Sequence, residues 1–106
     1  MLISEDKTQA NGNFPNSTGK IVTIYQQDIV PCALDLLTDL VKYKTVTLVA
    51  RGQSIPTAVA VANIVTENMM KGNSKILDIV VDSEETRESS GPSMMSIIKI
   101  TVTKTN

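Results

Sequence analysis

The 106-residue sequence contains no histidine and no tryptophan, and it has one cysteine, one phenylalanine and two tyrosines. Without histidine, a Cys/His zinc site, a Ser-His-Asp triad and a Cys-His dyad are all excluded. We therefore predict a protein with no catalytic residues, no metal ligands and no cofactor. So few aromatic residues also disfavour a sheet surface that stacks RNA bases.

Long apolar runs are missing as well. No run approaches the roughly 20 residues that cross a membrane, and residues 1–20 have no apolar core, so we expect neither a membrane span nor a signal peptide. One unpaired cysteine without an export signal predicts an intracellular protein, in the cytoplasm, the nucleus or both. Ten basic residues against eleven acidic ones give a net charge of −1, which disfavours a strongly basic nucleic-acid clamp.

The length is sufficient for one small domain, which can bury about two-thirds of its surface on folding. Residues 1–19 are rich in Asn, Ser, Thr and Gly and have few large apolar residues. We predict a disordered tail there. Residues 20–106 are predicted to form the domain.

Four β-branched segments and two amphipathic segments follow one another in the order β-α-β-α-β-β. Apolar and polar residues alternate in the strands, so one face of the sheet is expected to meet water. The predicted fold is therefore a two-layer α/β (α+β) sandwich, in which both helices cover one face of a four-stranded mixed sheet. The predicted strands are residues 20–25, 45–50, 75–82 and 94–104.

The connections between these elements have recognisable signals. Asp28 and Ser54 are candidate N-caps of the two helices, and Gly72 is predicted to end the second helix. The second helix is more apolar than one buried face requires, which suits either the core or a partner subunit. Residues 82–93 are predicted to be a polar loop with four acids and a single base, Arg87.

Arg51 and Gly52 stand between the predicted second strand and the second helix. A helix N-terminus presents unpaired backbone N–H groups and partial positive charge, so a nucleic-acid phosphate could bind there beside Arg51. An ordinary strand-to-helix turn would contain the same residues, and spacing alone leaves both interpretations open. The isolated glycine fits neither a Walker loop nor a Rossmann fingerprint.

Residues 50–65, ARGQSIPTAVAVANIV, resemble the central signature of Alba-like proteins, which are DNA- and RNA-binding proteins of chromatin and RNA metabolism. The resemblance extends over residues 20–104, because the order of elements and the final hairpin also agree. It implies the same fold, a dimer, and nucleic acid bound across that dimer. The matching positions are Arg51, Gly52, Ser54, Ile55, Ala58, Val59 and Ile64.

The resemblance also implies binding positions, namely Gln26 and Gln27, the turn from Arg51 to Gln53, and the loop 84–93. Many Alba-like proteins carry a lysine pair where this chain has the two glutamines, and the acidic loop would repel a polyanion. We therefore expect weaker and less salt-dependent binding than in basic members. The candidate nucleic-acid-binding residues are Lys20, Tyr25, Gln26, Gln27, Lys42, Lys44, Arg51, Gly52, Gln53, Ser54 and Arg87.

Three functions remain open at this stage. The first is an Alba-like protein that binds RNA or DNA, with RNA somewhat favoured, as a homodimer or as a heterodimer with another Alba-like chain. The second is a subunit of a ribonucleoprotein such as ribonuclease P or MRP, held there by a basic Alba-like partner. The third is an enzyme, which the absence of histidine disfavours.

Overall fold

The computed structural model describes residues 19–88 and 91–105. The predicted tail therefore lies outside the described residues, except for Gly19, which begins the first strand. A 3-10 turn, Gly52–Ser54, precedes the second helix, and a π-helical turn, Val65–Met69, follows it. The main elements are β1 (Gly19–Ile24), α1 (Ile29–Tyr43), β2 (Thr45–Arg51), α2 (Ile55–Ile64), β3 (Ser74–Glu88) and β4 (Gly91–Lys104).

The four strands form one sheet in the order β1-β2-β4-β3. Strand β1 runs parallel to β2, whereas β4 runs antiparallel to both of its neighbours. The sheet is therefore mixed, and the two helices pack on it as predicted. This arrangement confirms the expected α+β fold.

The core lies between the helices and one face of the sheet. Val46, Leu48 and Ala50 on β2 are completely buried, and their register partners on β4 belong to the same cluster. Full burial of an aliphatic side chain contributes about 1.5–3 kcal/mol to the free energy of unfolding. The alternation of apolar residues along β2 therefore determines which face of the strand packs against the helices. The helices bury Cys32, Ala33, Leu36 and Leu40 from α1 and Ala58, Val61 and Ala62 from α2.

The opposite face of the sheet, which we call the bare face, carries no helix. Two pairs of threonine hydroxyls on β2 and β4 lie 3.1 Å apart there, Thr45 with Thr103 and Thr47 with Thr101. Such cross-strand pairs stabilise neighbouring strands on a half-covered surface. The polar residues of the alternating pattern thus bond to one another across the sheet.

The predicted loop at 82–93 is wrong over most of its length. Strand β3 continues to Glu88 and β4 begins at Gly91, so only a short connection remains between them. Residues 83–87 of this extension are exposed or half-buried, so they need no alternation of apolar and polar residues, and their composition is that of a polar loop. Pro92 is tolerated because β4 extends there beyond the end of β2 and has an unpaired edge.

The predicted helix caps are correct in position but not in bonding. Asp28 and Ser54 occupy the N-cap positions of α1 and α2, yet neither side chain donates or accepts a capping hydrogen bond. Ser54 has helical backbone angles because the 3-10 turn leads directly into α2. The second helical segment ends at Met69 with its π-helical turn, so Gly72 lies beyond the helix in the following turn.

Candidate nucleic-acid interface

Strand directions divide the candidate residues between the two ends of the sheet. Ile24 lies opposite Ala50 in register, so the segment after β1 starts beside Arg51. Lys20 lies opposite Val46, close to the beginning of β2. The seven residues of β2 span about 20 Å between these two ends. We call them the Arg51 end (Tyr25–Gln27 and Arg51–Ser54) and the lysine end (Lys20, Lys42 and Lys44).

The backbone at the Arg51 end turns sharply at Gly52. Gly52 has a φ of +55°, a left-handed conformation that glycine adopts at little cost. A Cβ at this position would meet the nearest atoms, on the Met95 side chain, only at 3.9 Å. The backbone angle, and not crowding, therefore favours glycine here. The turn begins the 3-10 segment, whose first N–H groups have no partner within the helix.

The guanidinium of Arg51 lies beside a carboxylate of the hairpin. Its Nε atom is 3.4 Å from Oε1 of Glu84, and the two side chains are 46% and 50% exposed. The contact uses Nε, which leaves the two terminal nitrogens of the guanidinium for another partner. Arg51 is thus a half-exposed cation that is only partly neutralised.

Three side chains follow β1 at the same end. Tyr25 is 66% exposed, and Gln26 and Gln27 are exposed as well. The backbone N–H of Tyr25 donates to Oε1 of Gln27 at 3.0 Å. The amide nitrogen of Gln27 therefore remains as a donor that can bind a phosphate oxygen.

An open groove of about 500 Å³ runs between the turn and the hairpin. Gly52 and Pro56 line one side, and the paired strands of the hairpin form the other. Arg87 lies further along the hairpin, and strand alternation places it on the face opposite to that of Glu84. The groove is lined by Gly52, Ile55, Pro56, Thr86, Ser93, Met94, Met95 and Ser96.

The lysine end is organised around Tyr43. Nζ of Lys20 lies 5.3 Å and Nζ of Lys42 lies 5.9 Å from the centre of the Tyr43 ring. Lys20 also forms an ion pair with Asp39, at 3.2 Å between Nζ and Oδ1. The structure therefore does not bring Lys20, Lys42 and Lys44 together with Arg51.

Comparison with known proteins identifies the family. The Alba family model matches residues 20–83. This match covers more than half of the chain. The chain belongs to the Alba family. A solved structure of Alba from Thermoplasma volcanium superimposes with a TM-score of 0.71 at 26% identity, covering 79% of this chain and 99% of that chain. Among curated proteins, no sequence matches.

Membership in the Alba family supports a nucleic-acid-binding role, and proteins of this family are generally non-catalytic. Burial and the nearby Asp35 carboxylate raise the pKa of the Cys32 thiol, which opposes formation of the reactive thiolate. Within residues 19–88 and 91–105, no group of three or more potential metal ligands occurs. None of the helices there has the length and apolar character to span a membrane.

Sequence reasoning placed Glu84 among the binding positions but missed its contact with Arg51. We read it as part of a solvent-exposed polar loop, whereas it lies in a strand and faces Arg51. Strand alternation alone could not have found it, because the register of β3 shifts at a bulge between Ile76 and Asp78. The partner of Arg51 depends on that shift.

Proposed function

We propose that this Alba-family protein binds RNA or DNA through phosphate contacts at the Arg51 end, as a dimer and without catalysis. The observation that carries the proposal is the half-exposed guanidinium of Arg51 beside the left-handed turn at Gly52. The first N–H groups after Arg51 and the free terminal nitrogens of its side chain can bind the same phosphate. The turn thus combines a full positive charge with backbone donors.

The neighbouring side chains suit a flexible strand better than a rigid duplex. Tyr25 is exposed and can stack on an unpaired base, which is the main means of recognition in single-stranded RNA. Gln26 and Gln27 provide hydrogen bonds but release no counterions. We therefore propose binding of moderate affinity with a shallow salt dependence, and RNA as the favoured ligand.

The proposed dimer has a candidate surface on β3. Ile79 and Val81 lie on the helix-bearing face of the sheet, yet they are 52% and 74% exposed, because the helices cover β2 and β4 instead. Helix α2 buries Ala58, Val61 and Ala62, and Val59 is the one exposed residue among its large apolar side chains. A second Alba-family chain, identical or different, would bury the exposed aliphatic side chains of β3.

A second candidate function is supported by the acidic hairpin. Asp82, Glu84 and Glu85 are all exposed along the extended part of β3. This surface repels a polyanion and attracts a basic protein. The chain could then serve as one protein of a ribonucleoprotein such as ribonuclease P or MRP, where a basic Alba-like partner supplies most of the contacts to RNA. An intracellular location, in the cytoplasm or the nucleus, stays a prediction.

The decisive experiment replaces Arg51 with alanine. A charge-assisted hydrogen bond contributes about 1.5–3 kcal/mol to the free energy of binding, and partial neutralisation of Arg51 by Glu84 reduces that value. We therefore expect Arg51→Ala to weaken the binding of a single-stranded RNA about five- to tenfold. Fluorescence anisotropy titration measures the change. The matched control is Lys99→Ala, which removes one exposed positive charge from the middle of β4.

Equal affinities of the two variants would show that Arg51 acts only through the overall charge, and the assigned phosphate contact would be wrong. Absence of binding by the unaltered protein, with binding restored by a basic Alba-like partner, would favour the ribonucleoprotein function. Arg51→Lys separates charge from geometry, because lysine retains the charge and lacks the planar fork of donors. We expect this variant to bind with intermediate affinity.

A further inference from the structure

Positive charge is concentrated at one end of this weakly acidic chain. Of the nine basic residues between 19 and 105 that the structure describes, six lie at the lysine end. Three of them, Lys71, Lys75 and Lys104, have no counterpart among the predicted binding residues. From here on, the lysine end means all six of these residues: Lys20, Lys42, Lys44, Lys71, Lys75 and Lys104.

Backbone pairing holds several of these lysines close together. The N–H of Lys104 donates to the carbonyl of Lys44 at 2.8 Å. Lys75 lies opposite Thr103 on β4, and Thr103 lies opposite Thr45, the residue after Lys44. Three chain segments that are distant in sequence thus place these lysines at the same end of the sheet.

The remaining lysines adjoin this surface through α1 and the turn before β3. Lys20 and Lys42 share the ring of Tyr43, with Nζ 5.3 Å and 5.9 Å from its centre. Lys71 lies in the turn that leads into β3. Both distances are within the roughly 6 Å at which an ammonium group is attracted to the face of an aromatic ring.

Few acidic side chains offset this charge. Asp39 binds Lys20 at 3.2 Å, and Glu67 lies on the π-helical turn that leads towards this end. Asp35 lines the same groove as Lys20, and Asp78 is the next residue after Lys75 on the same face of β3, so six lysines against these four acids leave two positive charges in excess. The acids of the hairpin, Glu84 among them, are at the Arg51 end. Among the described residues, positive and negative charges are thus concentrated at opposite ends of the sheet, although the net charge of the whole chain is only −1.

The composition of this surface indicates the class of its partner. Lys42, Lys44, Lys71 and Lys75 are exposed, and these four lysines outnumber the exposed large apolar side chains that lie near them in sequence, which are Val41, Tyr43 and Leu77. The core of a protein–protein interface is poor in lysine and rich in apolar area. Interfaces with nucleic acid are polar, hydrated and positively charged on the protein side. The lysine end fits the second description.

We propose that the lysine end is a second phosphate-binding surface, which contacts the nucleic-acid backbone independently of the Arg51 end. The proposal rests on the proposed function for the identity of the ligand. It adds that this chain compensates for the glutamines at positions 26 and 27 with lysines about 20 Å away, at the other end of β2. The overall acidity of the chain is then no obstacle to binding.

The test is the double variant Lys42→Gln, Lys44→Gln in the full-length protein. Its matched control is Lys99→Glu, which changes the net charge by the same two units at a position in the middle of β4. Anisotropy titrations with one fluorescent RNA at several salt concentrations measure the affinity and its salt slope. Each lost phosphate contact lowers that slope by about 0.7–0.9, so we expect a decrease of about 1.5 and an affinity loss of about fivefold or more.

Lys99→Glu should have a clearly smaller effect on both quantities. Combined with Arg51→Ala, the double variant should show losses that multiply, since sites this far apart act additively in free energy. If the double variant binds like Lys99→Glu while Arg51→Ala still weakens binding, the second surface is overturned and the proposed function stands. If the double variant binds RNA normally but loses self-association, the lysine end contacts the acidic hairpin of another copy, which also overturns the proposal.

Discussion

Replacing Glu84 with glutamine removes the carboxylate that faces Arg51, and we expect this change to tighten RNA binding. Nε of Arg51 and Oε1 of Glu84 are 3.4 Å apart, a distance at which two unit charges in water attract by about 1 kcal/mol. Exposed ion pairs contribute about 0.2–1 kcal/mol in practice, and both of these side chains are about half exposed. Removal of this competitor should therefore raise the affinity about two- to fivefold.

The assay is an anisotropy titration of one fluorescent RNA at fixed salt, with Glu85→Gln as the control. Glu85 carries the same charge one residue further along β3, and strand alternation places it on the other face of the hairpin. We expect its replacement to change the affinity less than twofold. The gain from Glu84→Gln should also disappear when Arg51 is alanine. Weaker binding by Glu84→Gln would refute the reasoning and show that Glu84 orients Arg51 for the ligand.

Two further predictions concern stability and assembly. Gly52→Ala should destabilise the fold by about 1–2 kcal/mol, because alanine is strained at a φ of +55°; an unchanged midpoint of urea unfolding would contradict this. Val81→Glu should leave the fold intact, since Val81 is 74% exposed, but it should break the proposed dimer. Sedimentation should show dimers of the unaltered protein at micromolar concentration and monomers of the variant, whereas an unaltered protein that is already monomeric contradicts the homodimer.

The layers of the fold were predictable because burial leaves a clear pattern. On β2, the alternation of Val46, Leu48 and Ala50 with threonines matches one covered face and one bare face. The helices are predicted by apolar residues at helical spacing. In both cases the apolar residues of the pattern are the ones that contact the core.

The extension of the hairpin was not predictable in this way. Residues 83–87 and their partners on β4 are exposed or half-buried on both sides and none of them lies in the core, so no apolar pattern marks them. Their regularity comes from backbone hydrogen bonds that continue the ladder begun in the core. Asp and Glu are unfavourable in strands and pointed instead to a loop.

The arrangement of the site depends on register, which the sequence reasoning did not include. The extra residue at the β3 bulge, Leu77, shifts the alternation by one, and Glu84 therefore faces Arg51 instead of Glu85. The lysine end likewise depends on strand order, because Lys75 and Lys104 meet Lys44 only when β4 lies between β2 and β3. The net charge of the whole chain gives no indication of this local concentration of lysines.

The most direct test of the central claim is a binding titration of the unaltered protein. Fluorescent single-stranded RNA, duplex RNA and duplex DNA would each be titrated at two salt concentrations. We predict saturable binding that weakens as salt rises, with single-stranded RNA bound most tightly and a slope that corresponds to a few phosphate contacts. No binding to any of the three, even at low salt, would contradict a nucleic-acid-binding function for this chain on its own.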